Sequence, residues 1–190
     1  MVDEIDRKII TKLQSNGRLS LKELAKTVGY TSMGVKKRLD KLLGRGIIKV
    51  TALHNTAALK MRAIILLLEV ESGEAMRNIL QRFKNCPRIV YLFTTLGGYN
   101  LIAIAIGEDQ DTLESEMEEK CSLRSSPGIR RSEVYPIGEI HYHPYLPIRE
   151  YLAVRREEIA PCGVNCGVCP RYKGEKCLGC PATKYYRGPL

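Results

Sequence analysis

Residues 20–29 read SLKELAKTVG and contain both the start and the stop signal of a short helix. Ser20 and Glu23 have the spacing of a capping box, in which each side chain accepts a hydrogen bond from the other residue's backbone N–H. The apolar residues between them and Gly29 fall on one face, and glycine is the usual residue just after a helix. The stretch therefore predicts a helix over residues 21–28.

Helices are predicted on both sides of this one. Upstream, isoleucines at helical spacing predict a helix over about residues 3–15. Downstream, Thr31 and Ser32 offer a new N-cap, and an apolar stripe predicts a third helix that ends near Gly44. Three helices with a short turn before the last predict a helix-turn-helix, in which the third helix lies in the major groove of DNA.

The outward positions of the third helix are candidate DNA contacts. They are Ser32, Met33, Lys36, Lys37 and Lys41, with Arg38 near the boundary. Side chains near the N-terminus of the helix are expected at base edges, and the lysines at phosphates. Residues 1–50 carry 12 Lys/Arg against 5 Asp/Glu, whereas residues 51–140 carry 10 against 12. This asymmetry favours double-stranded DNA as a partner over the alternative, a three-helix bundle with a solvated basic face.

Bulk composition limits the protein class. The chain has 190 residues, 44% of them hydrophobic, enough for two small domains with their own cores. It has no long apolar run and no signal-peptide pattern, so we expect a cytoplasmic protein that does not enter membranes. Clustered cysteines in the cytoplasm more often bind metal than form disulfides.

The residues after the third helix and the middle of the chain predict β-structure. Ile47–Val50 is expected to form a strand and, with Ala52 and Leu53, a small wing. The elements expected from residue 61 to residue 137 are a strand at 61–70, a helix at 74–84, strands at 89–95 and 100–106, a helix at 112–121 and a strand at 129–137. This βαββαβ order predicts a ferredoxin-like sandwich with an uncovered apolar sheet face, and hence a homodimer or a larger even oligomer.

The loop between the second and third of these strands reads Gly97-Gly98-Tyr99-Asn100. Its glycines permit positive φ and the close approach of a ligand, which makes the loop a candidate site for a small-molecule effector. An ordinary hairpin turn is the alternative.

Five of the seven cysteines lie near the C-terminus: Cys162, Cys166, Cys169, Cys177 and Cys180. Two CxxC pairs with a leading cysteine can bring about four thiolates to one point, as zinc or an iron–sulfur cluster requires. Four-thiolate closure favours zinc, whereas five cysteines, the adjacent glycines and the prolines after two of them favour a 4Fe–4S cluster. Disulfides or free thiols are the third possibility.

Other residues near these cysteines have simpler interpretations. Cys86 and Cys121, at predicted element ends, are interpreted as packed thiols, and His141 and His143 as surface side chains of a proline-rich connector. Pro147 is expected to begin a helix that runs to about Ile159.

Residues 2–140 resemble the Lrp/AsnC family of transcription regulators. The resemblance is carried by the opening helix, Asn16-Gly-Arg18-Leu-Ser20, Glu23-Leu-Ala25, Val28-Gly29, Val35, Arg38-Leu39 and Gly46-Ile-Ile48. It implies an α+β protein with a winged helix-turn-helix, an effector-binding sandwich, palindromic operators and, in many members, an amino-acid effector. The expected domains are 1–54 for DNA binding, 55–140 for effector binding and oligomerisation, 141–160 as connector and helix, and 161–190 as a cysteine-rich metal-binding module.

The effector loop departs from the family. Members usually carry Gly-Asp-Tyr-Asp where this chain has Gly97 to Asn100, so both carboxylates that could receive an α-ammonium group are missing. The same architecture is similar to that of the siroheme decarboxylases, whose loop often carries Tyr-Asn. A haem-pathway enzyme is therefore the alternative function, although the basic first segment favours a regulator.

Overall fold

The structure, a computed structural model, describes residues 2–190, without the side chains at positions 154 and 155. The chain forms two compact units, one that ends at Ala52 and one that runs from Leu53 to Leu190. Within residues 2–190, no helix has both the length and the apolar character needed to cross a membrane.

The first unit is the predicted tri-helical bundle. Its helices are α1 (Glu4–Ser15), α2 (Leu21–Val28) and α3 (Ser32–Gly44). Both α1 and α2 begin with reciprocal capping boxes, and Gly29 ends α2 in the left-handed conformation at φ +70°. Ile9, Leu24 and Val35 are fully buried between the helices. The helix-turn-helix prediction is confirmed.

The predicted wing strand is wrong. Residues 47–53 adopt no strand. Ile47 and Val50 have strand propensity, but a strand needs a neighbour for its backbone hydrogen bonds, and none pairs with this segment. Both side chains remain exposed.

The second unit contains the predicted βαββαβ sandwich. After a two-residue strand β1 (His54–Asn55), its elements are β2 (Arg62–Val70), α4 (Gly73–Phe83), β3 (Ile89–Thr94), β4 (Leu101–Gly107), α5 (Gln110–Glu118) and β5 (Ile129–Pro136). The antiparallel sheet has the order β3-β4-β2-β5. One sheet face packs with the helices, where Ile64, Leu66 and Phe83 are buried in a single cluster.

The connector does not form the predicted helix from Pro147 to Ile159. Its strand β6 (Tyr145–Leu146) pairs with β1, and a short 3₁₀ helix follows at Glu150–Arg155. Leu146 and Ile148 are both buried, a spacing of two residues that suits an extended chain and not a helix. Ile159, expected to face inward, is 49% exposed.

The last residues wrap back onto the sandwich with little regular structure. They contain a 3₁₀ turn at Cys166–Val168 and the one-turn helix α6 (Pro170–Lys173). Ala160, Ala182 and Thr183 are buried, and Leu190 packs on the apolar cluster that contains Met61 and Ile106. The cysteine-rich segment is therefore part of the same compact unit as the sheet.

Candidate DNA-binding face and cysteine cavity

The outward face of α3 presents the predicted contact residues to solvent. Those that are exposed are Ser32, Met33, Lys36, Lys37 and Lys41. Met33 is 75% exposed, which is unusual for a large apolar side chain. Thr31 caps the helix by accepting a hydrogen bond from the backbone N–H of Gly34 at 3.1 Å. The role of this face in DNA binding stays a prediction, and the exposed side chains that such a role requires are present.

Arg38 differs from the other candidates because it joins α3 to α1. Its Nη1 lies 2.6 Å from Asp3 and 2.8 Å from Asp6, and its guanidinium lies over the ring of Tyr30. The backbone N–H of Asp6 and then the Arg38 guanidinium hold the pKa of Asp3 below its usual value. This engagement assigns Arg38 a structural role within the bundle, and its DNA contact stays untested.

The predicted effector loop has its polar groups occupied. The Asn100 side chain accepts a hydrogen bond from the N–H of Val70 at 2.7 Å and donates one to its carbonyl at 2.8 Å. The Tyr99 hydroxyl donates to Glu133, and Arg131 lies 4.5 Å from the Tyr99 ring. Asn100 thus ties the start of β4 to the end of β2.

The two loop glycines do not adopt the strained conformation that the sequence permits. Neither Gly97 nor Gly98 is among the residues with positive φ. A Cβ on Gly98 would come no nearer than 3.8 Å to another atom outside its immediate neighbours. An ordinary loop therefore accounts for both positions.

All seven cysteines of the chain line one small cavity. Its volume is about 30 Å³, room for about one or two water-sized groups. The sulfur-bearing residues in its wall are Cys86, Cys121, Cys162, Cys166, Cys169, Cys177 and Cys180. None of them forms a disulfide, and two of them, Cys86 and Cys121, come from the sandwich. The structure thus brings together the five predicted residues and two that were interpreted as packed thiols.

Several of these sulfurs accept backbone hydrogen bonds. The N–H of Gly179 lies 3.4 Å from the sulfur of Cys177, and the N–H of Cys180 lies 3.4 Å from that of Cys166. Gly179 has φ +83°, and a Cβ there would lie 2.9 Å from the carbonyl oxygen of Tyr185, so glycine is required for this turn. N–H groups aimed at sulfur stabilise thiolates and are typical of metal and cluster sites.

The sulfurs surround the cavity without meeting at one point. Among the described residues, no group of three or more His, Cys, Asp or Glu side chains has the geometry to hold a metal ion. Burial raises the pKa of the Cys162 thiol, although the N–H of Val164 opposes that rise. Burial also raises the pKa of Cys180. Several buried thiolates repel one another. Deprotonation of these thiols is therefore most favourable when a bound cation offsets the negative charge.

A buried arginine also lines the cavity. Arg88 is 2% exposed, and its Nη2 lies 2.8 Å from Glu108 while its Nη1 lies 3.4 Å from Glu116. Its Nε is buried and has no hydrogen-bond partner among the described atoms. Glu108 also accepts a hydrogen bond from the Tyr186 hydroxyl at 2.6 Å.

Arginine side chains hold the cysteine-rich segment and the connector to the sandwich. Arg82 donates from Nε to the carbonyl of Cys162 at 3.0 Å. Arg171 donates to the Ser115 hydroxyl at 2.7 Å, and Arg149 donates to three backbone carbonyls between residues 84 and 89. Sequence patterns did not identify these contacts or Arg88, because each joins residues far apart in the chain. The Cys86-Pro87 dipeptide was a usable signal, since Cys169 and Cys180 are also followed by proline.

Comparison with known proteins identifies both domains. Residues 2–43 match the model of the AsnC-type helix-turn-helix domain, and residues 63–143 match that of the Lrp/AsnC ligand binding domain. The HTH-type transcriptional regulator FL11 of Pyrococcus horikoshii is 29% identical over 143 residues, which are 74% of this chain and 91% of that protein. The regulator Ptr1 of Methanocaldococcus jannaschii is 31% identical over 123 residues, 63% of this chain and 82% of that one.

Solved structures show the same fold. Escherichia coli AsnC superposes with a TM-score of 0.66 at 18% identity and covers 75% of this chain and 96% of its own. A transcriptional regulator from Neisseria meningitidis, solved as its complex with L-Met, has a TM-score of 0.68 at 20% identity and covers 75% and 94%. With its domain order, its capped helix-turn-helix and these matches, the chain belongs to the Lrp/AsnC family of DNA-binding transcription regulators.

Proposed function

We propose that this regulator reads DNA through the exposed face of α3, and that a metal centre held by its C-terminal cysteines changes how tightly it binds. The observation that carries the second part is the convergence of every cysteine in the chain on one cavity. Seven thiols scattered by chance over a sandwich and its extension would not line a single void. The cavity wall includes residues of the sandwich as well as the extension, so a change at the centre acts on both.

A 4Fe–4S cluster is the centre we favour, with zinc as the alternative. The five C-terminal thiols exceed the four that a single tetrahedral ion uses, and sulfurs spread around a void suit a cluster better than one ion. The small volume of the cavity is more favourable to zinc, since a cube would require the sulfurs to move apart. Elemental analysis of protein purified without oxygen separates the two, because only a cluster brings acid-labile sulfide.

The DNA-binding part of the proposal divides the exposed residues of α3 by role. Ser32 and Met33, at the N-terminus of the helix, are placed to meet base edges and to supply sequence preference. Lys36, Lys37 and Lys41 supply phosphate contacts, which raise affinity for every duplex.

Self-association through the open sheet face would bring two such helices to one operator. Two cross-strand rows lie on this face: Phe93, Ile102, Leu67 and Glu133 form one, and Tyr91, Ile104, Ile65 and Tyr135 form the other. Tyr91, Phe93 and Tyr135 are 40%, 46% and 50% exposed, so the face is apolar and uncovered in one chain. We propose that a second copy covers it, which sedimentation at tens of micromolar tests: a monomer contradicts the proposal.

An amino-acid effector is not expected at the loop from Gly97 to Asn100. Its two polar side chains already bond Val70 and Glu133, and no carboxylate occupies the loop positions at which the family usually carries aspartate. We expect no calorimetric signal for tight binding of any standard amino acid. The enzyme alternative is tested by anaerobic incubation with siroheme, for which we expect no product of lower mass.

The sensing proposal is tested by one comparison. Protein that contains its metal and protein treated with a chelator or oxidant are titrated against the same operator duplex at the same salt concentration. We expect at least about a threefold difference in Kd, which requires less than 1 kcal/mol of linkage between the sites. Cys169→Ser protein should give one Kd under both treatments. Equal Kd values for the two wild-type samples would refute sensing and leave DNA binding intact.

A further inference from the structure

The turn between α4 and β3 brings a cysteine of the sandwich into the wall of the cavity. Cys86 is 8% exposed and belongs to the apolar cluster against which Cys162 packs. It is near enough to Cys180 that a negative charge on its sulfur raises the pKa of that thiol, after the larger effect of burial. Cys86 therefore faces thiols at both ends of the predicted cysteine motif.

Two backbone N–H groups also lie beside the Cys86 thiol. Burial raises the pKa of its thiol to about 12, opposed by hydrogen bonds from the backbone N–H groups of Ile89 and Arg88. Cys180 is similar, since the backbone N–H of Ala182, two residues on, opposes the rise that burial causes in the pKa of its thiol. In both places the intervening residue is a proline, Pro87 or Pro181, which has no N–H. The first N–H able to meet the sulfur is that of the following residue.

The other sandwich cysteine has the opposite arrangement. The thiol of Cys121 donates to the backbone carbonyl of Ser115 at 3.7 Å. It is followed by Ser122 and not by proline. A thiol that donates keeps its proton, whereas a metal ligand has lost it. Cys86 and Cys121 thus lie on one cavity wall but differ in the hydrogen bonds at their thiols.

Arg88 adds a buried positive charge beside these acceptors. It directly follows the Cys86-Pro87 dipeptide, and its unpartnered Nε is a hydrogen-bond donor inside the protein. A buried donor without a partner is unfavourable, so an unpartnered N–H in a cavity wall indicates a group that the cavity could receive. Because Glu108 and Glu116 already balance the charge of its guanidinium, Arg88 bears on the cavity only through this N–H group.

We propose that Cys86 is a ligand of the metal centre, contributed by the sandwich. The inference rests on the proposed metal centre and names part of its ligand set. The centre then joins the α4–β3 turn to the C-terminal segment, and its loss removes one link between them beside the contacts of Arg82 and Arg171. Such a link gives the centre a direct mechanical connection to the sandwich.

The test uses the full chain, with Co²⁺ as a spectroscopic probe and Fe²⁺ with sulfide as the second. Wild type, Cys86→Ser and the matched variant Cys121→Ser are stripped of metal and titrated without oxygen. We expect Cys86→Ser to bind Co²⁺ at least about tenfold more weakly, because it lacks one ligand, and to show a weaker thiolate-to-cobalt charge-transfer band. Cys121→Ser should retain the affinity and the band of the wild type.

Stability separates ligation from packing. If Cys86 only fills space, Cys86→Ser lowers the Tm of metal-free and Co²⁺-loaded protein equally. If it is a ligand, the rise in Tm that Co²⁺ produces in the wild type shrinks in Cys86→Ser and persists in Cys121→Ser. Wild-type affinity and an unchanged Tm rise in Cys86→Ser would overturn this inference alone. Wild-type protein that binds neither probe would overturn the metal centre itself.

Discussion

The helix-turn-helix and the cysteine-rich segment are organised by contacts of different range. At α2, Ser20 and Glu23 bond each other's backbone N–H groups at 3.2 Å and 2.7 Å. In the segment, Arg171 reaches the Ser115 hydroxyl 56 residues away, and the N–H of Leu178 reaches the Thr112 hydroxyl 66 residues away. Neighbours in sequence hold the first region, whereas groups far along the chain hold the second.

This difference predicts which substitutions destabilise each region. Local caps and an apolar core allow α1, α2 and α3 to form with little help from elsewhere. The cysteine-rich segment has only a one-turn helix and 3₁₀ turns, so it depends on the sandwich and, in our proposal, on a metal held by its sulfurs. Substitutions that remove a distant partner should therefore disturb the segment and leave the bundle unchanged.

The largest effect is expected from Cys169→Ser. The substitution removes a thiolate from the proposed centre, and metal binding in small structural sites is worth about 10–16 kcal/mol. Bound metal should fall to a small fraction of the wild-type content. Amide hydrogen exchange should accelerate across residues 160–190, measured by mass spectrometry on the full chain.

Two results of that experiment would contradict the contrast between the helix-turn-helix and the cysteine-rich segment. Metal content equal to that of the wild type would show that Cys169 is no ligand. Faster exchange in α1 to α3 as well as in the segment would show that the two regions are not independent in stability. Cys121→Ser, on the same cavity wall, is the control and should leave both measurements unchanged.

A second test removes a distant partner and leaves every cysteine side chain in place. Arg149 donates to the carbonyls of Lys84 and Ile89 at 2.7 Å each, and also to that of Cys86. Arg149→Met leaves three carbonyls without their charged donor, two of them part-buried, and a hydrogen bond to a charged group is worth about 1.5–3 kcal/mol. We expect a loss of about 3 kcal/mol in the free energy of unfolding of the second unit, measured in urea. Arg156→Met, at an exposed position, should cost less than about 0.5 kcal/mol.

The same contrast explains how much the sequence predicted. The three N-terminal helices, the βαββαβ order and the five clustered cysteines were all readable, because caps, apolar periodicity and CxxC spacing are local signals. The helix from Pro147 to Ile159 was wrong, since only a 3₁₀ helix at Glu150–Arg155 forms there, and the pairing of β6 with β1 just before it is a distant contact that no local pattern marks. The wing at Ile47–Val50 failed for the opposite reason, since strand-forming residues found no partner.

The residues of the candidate sites also differ in whether a local sequence pattern predicted their position. Ser32, Met33 and the lysines of α3 were placed on the exposed face by helical period alone. Cys86 and Arg88 could not be placed on the cavity by any local pattern, because the fold of the sandwich brings their turn beside the last residues of the chain. Only the proline after Cys86 marked it in advance.

A third test addresses the function of the locally organised region. Lys36→Ala with Lys37→Ala removes two proposed phosphate contacts from α3. Affinity should fall for operator and non-operator duplexes alike, and the slope of log K against log salt should flatten by about 0.9 for each lost contact. A shift assay at several salt concentrations measures both. Lys84→Ala, an exposed lysine of the sandwich, should change neither, and an unchanged slope in the double variant would contradict the assignment of the face.

The smallest effect is expected from Ser20→Ala, which removes one local cap. Loss of an N-cap hydroxyl typically costs about 1 kcal/mol of helix stability. Hydrogen exchange of the peptide that contains α2 should accelerate severalfold at neutral pH, while exchange in residues 160–190 stays as in the wild type. Equal acceleration in both regions would remove the distinction between local and distant organisation.

Lowering the pH tests the stability contribution of the same cap in a second way. Hydrogen bonds from the Ser20 hydroxyl and then from its backbone N–H hold the pKa of Glu23 below its usual value of 4.5. A carboxyl group whose pKa is lower in the folded state contributes stability that is fully present above its unfolded pKa and is lost as the pH falls through the folded pKa. The difference between wild type and Ser20→Ala should therefore be constant from neutral pH down to about 5 and shrink below about 4. Because both partners lie three residues apart on one turn, this titration should appear in α2 whether or not metal is added to the protein.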